Sequence, residues 1–198
     1  MHDNSDPGLR ERKKAKTRAL IHAQAIRLFH EQGYDATTVE QIAEAAEVSP
    51  STIFRYFPTK TDLVIYDDLD DLMIEQFKAQ PRELSTVQAL HATLRSVFGT
   101  VAGKDLEQQF KRERLIRTVP ELRAAILDDF TRTLREMCSL VAERTGRASD
   151  DSEVLALAGS VIGIAISAWF ASEGEDWMKH YLERIDTGLD LLESGFRL

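Results

Sequence analysis

Apolar residues recur along this chain mainly at spacings of three and four, the mark of amphipathic helices rather than strands. Ile21, Ala25, Leu28 and Phe29 make one stripe in a segment from Arg10 to Gln32, and Gly33 stops it. Thr37-Thr38-Val39-Glu40 reads as a capping box with Thr37 as N-cap, opening a short helix that carries Val39, Ile42, Ala43 and Ala46. Ser49 is the next N-cap, with Pro50 at the favoured first position. Phe57-Pro58 ends that helix, and Thr59-x-x-Asp62 caps a longer one from Lys60 to Lys78 through Leu63, Tyr66, Leu69, Met73 and Phe77. Beyond Pro81 the pattern predicts helices near 84–102, 105–117, 120–145, 152–173 and 175–196. No Asn-Gly, Asp-Gly or Gly-Gly hairpin signal interrupts them. The expected class is all-α, with about nine helices.

Charge changes this picture because it is unevenly spread. The 198 residues carry 25 Lys/Arg and 33 Asp/Glu, a net charge of −8, which by itself argues against a nucleic-acid partner. Residues 1–66, however, hold nine of each sign and are neutral, while residues 67–198 carry the whole deficit. Leu9–Arg18 alone has six basic residues against Glu11. A 43% hydrophobic content excludes intrinsic disorder. The single cysteine, Cys138, excludes an internal disulfide framework, and its apolar neighbours point to a buried inert thiol. Met1–Arg18 has no apolar core of a signal peptide, so the expected compartment is the cytoplasm.

The most informative stretch is TTVEQIAEAAEVSPSTIFRYFPTKTDL, Thr37–Leu63. Its second helix is barely two turns long and is not stable alone, so Ile53 and Phe57 must pack on Ile42, Ala46 and Val48. That leaves Pro50, Ser51, Thr52, Phe54, Arg55 and Tyr56 on an outward face suited to a DNA major groove. Lys60, at a helix start, is placed to hold a phosphate. Spacing alone leaves open an ordinary small bundle with a solvated face. The segment resembles the helix-turn-helix of TetR-family transcriptional regulators through Thr38, Ile42-Ala43, Ala46, Val48-Ser49, Thr52, Phe54, Tyr56-Phe57, Lys60 and Leu63, with Ala25–Phe29 and Gly33-Tyr34 before it. The resemblance covers about a quarter of the chain. It implies DNA-backbone contacts from Thr38, Tyr56 and Lys60, and base-edge or mixed contacts from Pro50, Ser51, Thr52, Phe54 and Arg55, with Ser49 beside them. Glu47 stands where the family usually has glycine; at positive φ a side chain there costs about 1 kcal/mol. The basic residues Arg12, Lys13 and Lys16, with Arg10, Lys14 and Arg18, are expected to follow the DNA backbone or enter a minor groove as an arm or helix start; a solvated terminus is the alternative.

Val154–Ser172 is nineteen residues without a charge and contains Gly159-x-x-x-Gly163. Acidic flanks and frequent small residues argue against a membrane span and for a buried helix that another helix approaches closely. In the last helix Leu182, Ile185, Leu189, Leu192 and Phe196 form a two-position heptad stripe. Gly159, Gly163 and Ile166 with this stripe are the expected homodimer interface, an arrangement the resemblance also implies; a purely internal core is the alternative.

The resemblance further implies an effector pocket between the middle helices. Its candidate polar members are His91, Arg114, Arg117 and Ser167, with Phe98, Phe110, Phe130 and Trp169 as walls. RERLIRTVPELRAAILDDF and FRYFPTKTDL resemble a branch of the family with acyl-CoA-responsive members; Arg112, Arg114 and Arg117 would pair with a phosphorylated ligand or, equally, with Glu113, Glu121 or Asp128. Five histidines without an i, i+4 pair, and no phosphate loop or nucleophile elbow, leave no expected metal, cofactor or catalytic site. The organisation expected is a DNA-binding head over 1–62 and a ligand-binding and dimerisation body over 63–198. The function expected is a ligand-released repressor of a palindromic double-stranded operator. The competing class is a helical small-molecule-binding or catalytic domain with a degenerate head.

Overall fold

The computed structural model describes residues 7–66, 69–101, 106–174 and 176–195. Among them are ten helices and no strand: α1 Pro7–Gln32, α2 Val39–Ala45, α3 Pro50–Tyr56, α4 Asp62–Ile65, α5 Leu69–Ala79, α6 Thr86–Val101, α7 Leu106–Thr118, α8 Pro120–Thr145, α9 Ser152–Ala171 and α10 Trp177–Ser194. The all-α expectation holds, with ten helices rather than about nine. The extra one arises because the helix expected from Lys60 to Lys78 divides into α4 and α5, with Tyr66 at φ −55°, ψ 132°. Its cause lies in α7. The Arg112 guanidinium donates from Nε to the Val64 carbonyl at 2.6 Å and from Nη2 to the Ile65 carbonyl at 2.7 Å. Carbonyls captured by a cation are satisfied at the end of α4.

By packing, the chain forms two compact units: Met1–Tyr66 with Asp105–Ile126, and Asp67–Lys104 with Leu127–Leu198. The first has fourteen basic and thirteen acidic residues, the second eleven and twenty, so their net charges are +1 and −9. Taking α7 into the first unit sharpens the charge division seen along the sequence.

In the first unit α1 is the central element, packed against α2, α4 and α7. Its stripe is fully inward: Ile21 and Ala25 are 0% exposed and Phe29 1%. Thr37 is buried and its hydroxyl is taken up by the Leu28 and Gly33 carbonyls at the end of α1. The capping box therefore falls one residue later than expected: Thr38 Oγ1 accepts from the Gln41 amide at 3.2 Å, and Gln41 Oε1 accepts from the Thr38 amide at 2.8 Å. Thr59 and Asp62 form the expected reciprocal pair, ahead of α4.

In the second unit Phe77, Ala89, Leu90, Val161, Ala168, Ile185 and Leu189 form one core cluster. Cys138, Val141 and Ala142 meet Val154 and Ala158 in another, which confirms Cys138 as buried. α9 and α10 approach closely at Gly188, where a Cβ would lie 2.5 Å from Ile164 Cγ2.

Candidate nucleic-acid interface

α2 ends in a Schellman motif. The Val48 amide bonds the Ala43 carbonyl at 2.9 Å, the Glu47 amide bonds the Glu44 carbonyl at 3.1 Å, and Glu47 sits at φ +53°. This is the conformation glycine normally supplies, and Glu47 is the one non-glycine residue among those described that holds it. The sharp turn lets α3 start at Ser49, whose Oγ accepts from the Thr52 amide at 3.2 Å and lies 2.9 Å from both the Ser51 and Thr52 hydroxyls. Ile53 at 0% and Phe57 at 1% exposure fix α3 against the core, as the spacing required. The opposite face is open. Pro50, Ser51 and Arg55 are exposed, Thr52 and Tyr56 half-exposed, and Phe54 is 49% exposed.

The flanking groups are held by aromatic contacts. The Arg55 guanidinium lies 5.3 Å from the Tyr56 ring centre, and the Lys60 ammonium 4.4 Å from that of Tyr34 and 5.7 Å from that of Phe29. Burial pushes the Tyr34 phenol up, with nearby Glu121 adding to it, so the ring under Lys60 stays neutral. Glu121, at the start of α8, accepts from the Thr61 hydroxyl at 3.1 Å and from Tyr34 Oη at 3.5 Å. Thr38 is exposed at the N-terminus of α2, where its side chain caps the helix. Arg12, Lys13 and Lys16 are exposed on the first turns of α1, so they are displayed by a helix rather than by an extended arm.

The effector-pocket candidates are divided between the two compact units. His91 lines a cavity of about 250 Å3 between α6 and α10, with Leu94, Arg95, Leu182, Glu183, Ile185 and Asp186. Trp169 is buried with its ring edge-on to Phe170, Phe130 is half-buried, and exposed Ser167 donates to the Gly163 carbonyl. Phe110, Arg114 and Arg117 are all on α7 in the other unit: Phe110 and Arg114 are exposed and Arg117 pairs with Glu113. The Phe98 side chain lies outside the described residues.

The heptad stripe of α10 turns largely inward. Ile185 and Leu189 belong to the unit's own core, Leu182 and Leu192 are half-buried, and Phe196 lies outside the described residues. The internal-core alternative therefore accounts for the centre of that stripe. The open side is a groove lined by Ser160, Gly163, Ile164, Ser167, Ala168, Ala171, Arg184 and Gly188. Gly163 is exposed on it, while Gly159 is exposed on the same helix and Ile166 is half-buried. Leu155, Phe170 and Leu191, at 49, 55 and 41% exposure, are the large apolar residues that sequence reasoning missed. α9 is long and apolar enough to cross a membrane by composition, with a mean hydropathy of 2.1 over its best window. A helix whose polar positions past its first turn are only small serines and glycines offers little periodicity from which to read its open face.

A short, capped α3 that exposes hydroxyls, one guanidinium and a phenyl ring, set on a helical turn behind it, defines a helix-turn-helix protein of the DNA-binding class. Residues 21–66 match the profile of bacterial regulatory proteins of the tetR family, and residues 84–197 that of the MftR C-terminal domain. The chain is 32% identical to the transcriptional regulator TcmR of Streptomyces glaucescens over 96% of its own length and 84% of that protein's. It is 28% identical to the regulator MftR of Mycobacterium tuberculosis over 93% of both. Solved structures of the same fold include the SmeT–triclosan complex (TM-score 0.56, 17% identity, 88% of this chain and 90% of that one). Another is the FadR repressor of Thermus thermophilus with lauroyl-CoA (TM-score 0.53, 20% identity, 91% and 95%). The chain belongs to the TetR family of transcriptional regulators and is not an enzyme.

Proposed function

We propose that this regulator is a cytoplasmic, homodimeric repressor that binds a palindromic operator and is released by a small hydrophobic effector. The observation that carries the reading is the outward face of α3, where Phe54 is 49% exposed beside Ser51, Thr52 and Arg55. Pro50–Tyr56 enters the major groove. Phe54 meets a thymine methyl, Arg55 and the hydroxyls meet base edges or phosphates, and Thr38, Ser49, Tyr56 and Lys60 hold the backbone. Arg12, Lys13 and Lys16 add phosphate contacts from α1. In this reading residues 1–62 are the DNA-binding head and 63–198 the effector and dimerisation body. Two copies pair through the open α9–α10 groove, with Gly159 and Gly163 allowing close approach. Half-sites then lie about one helical turn, roughly 34–36 Å, or a multiple apart.

Fold relatives that hold triclosan and lauroyl-CoA support a small hydrophobic effector. An acyl-CoA ligand has less support: Arg112 is spent on the Val64 and Ile65 carbonyls and Arg117 on Glu113. The test is fluorescence anisotropy with labelled DNA from upstream of its own gene. The expected result is salt-sensitive, sequence-specific binding that is weakened by Arg55→Ala with Tyr56→Phe. Unchanged binding by that double variant refutes the site, and no specific binding refutes the function.

A further inference from the structure

The cavity between α6 and α10 takes no part in the DNA face or the open α9–α10 groove, yet it has a built lining. Leu94, Leu182 and Ile185 form its apolar floor, His91 a wall, and Arg95, Glu183 and Asp186 its charged rim. At about 250 Å3 it is smaller than most sites for drug-sized ligands, which span roughly 300–1,000 Å3, so its occupant is small.

The rim groups are unequally committed. Asp186 accepts from His91 Nε2 at 2.5 Å, from Arg95 Nε at 2.9 Å and from Arg95 Nη2 at 3.2 Å. Arg95, then His91, hold its carboxyl down to about 2, so it is ionised at every working pH. The other ring nitrogen of His91 faces Asp190 at 3.5 Å. Glu183 meets Lys179 at 4.0 Å, beyond hydrogen-bond reach. The lining thus holds two carboxylates, Glu183 and Asp186, against one guanidinium that Asp186 takes up, in a unit whose net charge is −9. A concave apolar site under such a rim concentrates cations and repels anions.

We propose that this cavity binds a small amphipathic organic cation, its apolar end on Leu94, Leu182 and Ile185 and its nitrogen at Glu183 and Asp186. As the identity of the effector, this rests on the effector-responsive reading above; as a binding site, it stands on the cavity alone. The test is calorimetric titration of the full chain with three probes of one skeleton: 4-phenylbutylamine, 4-phenylbutanol and 4-phenylbutyrate. The amine binds at least about tenfold tighter than the carboxylate, with the alcohol between them. Glu183→Gln, a rim change that leaves the Asp186 contacts in place, weakens the amine by about two- to fivefold, the range of an exposed charge pair. Leu182→Trp, which fills the cavity, abolishes amine binding while the thermal transition is retained. Equal or tighter binding of the carboxylate, amine binding that survives Leu182→Trp, or no binding of any probe overturns the site. Operator affinity at saturating amine separates the two readings: binding without a change in operator affinity keeps the site and removes its effector role.

Discussion

Replacing Glu47 by glycine is expected to stabilise the protein. Glu47 holds φ +53° at the turn that sets α3 behind α2, and its side chain is exposed, so the substitution removes no packing. A non-glycine residue in the left-handed region costs about 1–2 kcal/mol. Glycine's greater freedom in the unfolded chain returns about 0.5–1 kcal/mol of that. The midpoints leave a net gain of about 0.75 kcal/mol, or a rise in Tm of about 2–3 °C for a chain of this size. Differential scanning calorimetry of Glu47→Gly, Glu47→Ala and the parent protein reads it directly. Glu47→Ala keeps the Cβ and loses the charge, so it should leave Tm nearly unchanged. A Tm for Glu47→Gly at or below the parent's, or an equal rise in Glu47→Ala, refutes the backbone argument. Both variants also remove a carboxylate beside the proposed DNA face. A gain in operator affinity shared by the two, and larger at low salt, is therefore electrostatic.

Gly188→Ala places a Cβ 2.5 Å from Ile164 Cγ2 and should destabilise the second unit by about 1–3 kcal/mol in urea unfolding, with most of the loss recovered in the Ile164→Ala background. Asp186 is held down to about 2 by Arg95 and His91; a carboxyl depressed in the folded state gives stability above its unfolded value that is lost as pH falls. Urea midpoints should therefore drop as pH falls from 4 through about 2, and Asp186→Asn should flatten that dependence. Phe170→Glu, at a position 55% exposed, should convert the proposed dimer to folded monomers in analytical ultracentrifugation, and a dimer that persists refutes the proposed α9–α10 interface.

Helix positions were legible where a local stop or a one-sided stripe existed. Gly33, Ser49-Pro50, Pro120 and Gly146 bracket elements that end within a residue or two of the expected places. The Glu47 conformation was also readable, from a single residue that departs from the family pattern. Errors came where the deciding atom is distant in sequence. Thr37 looked as good a cap as Thr38 until the end of α1 claimed its hydroxyl. The α4–α5 break depends on Arg112, which lies beyond any window around Tyr66. The outward face of α3 followed from the shortness of that helix, because so short a helix must turn Ile53 and Phe57 inward. The effector candidates were chosen by residue type along separate helices, and nothing in the sequence shows that Phe110 and His91 belong to different compact units.

The unequal charges of the two units have a consequence for occupancy on long DNA. A protein that coats DNA needs neighbours that tolerate contact. Here each copy carries one unit that is nearly neutral and one of net charge −9. Adjacent copies repel one another, and the polyelectrolyte surface of DNA also repels that unit, so loosely bound copies leave quickly. If α3 is the DNA-reading helix proposed above, binding is confined to sites where its contacts outweigh the repulsion. Overexpression in the cell should then saturate the operator without spreading along flanking sequence.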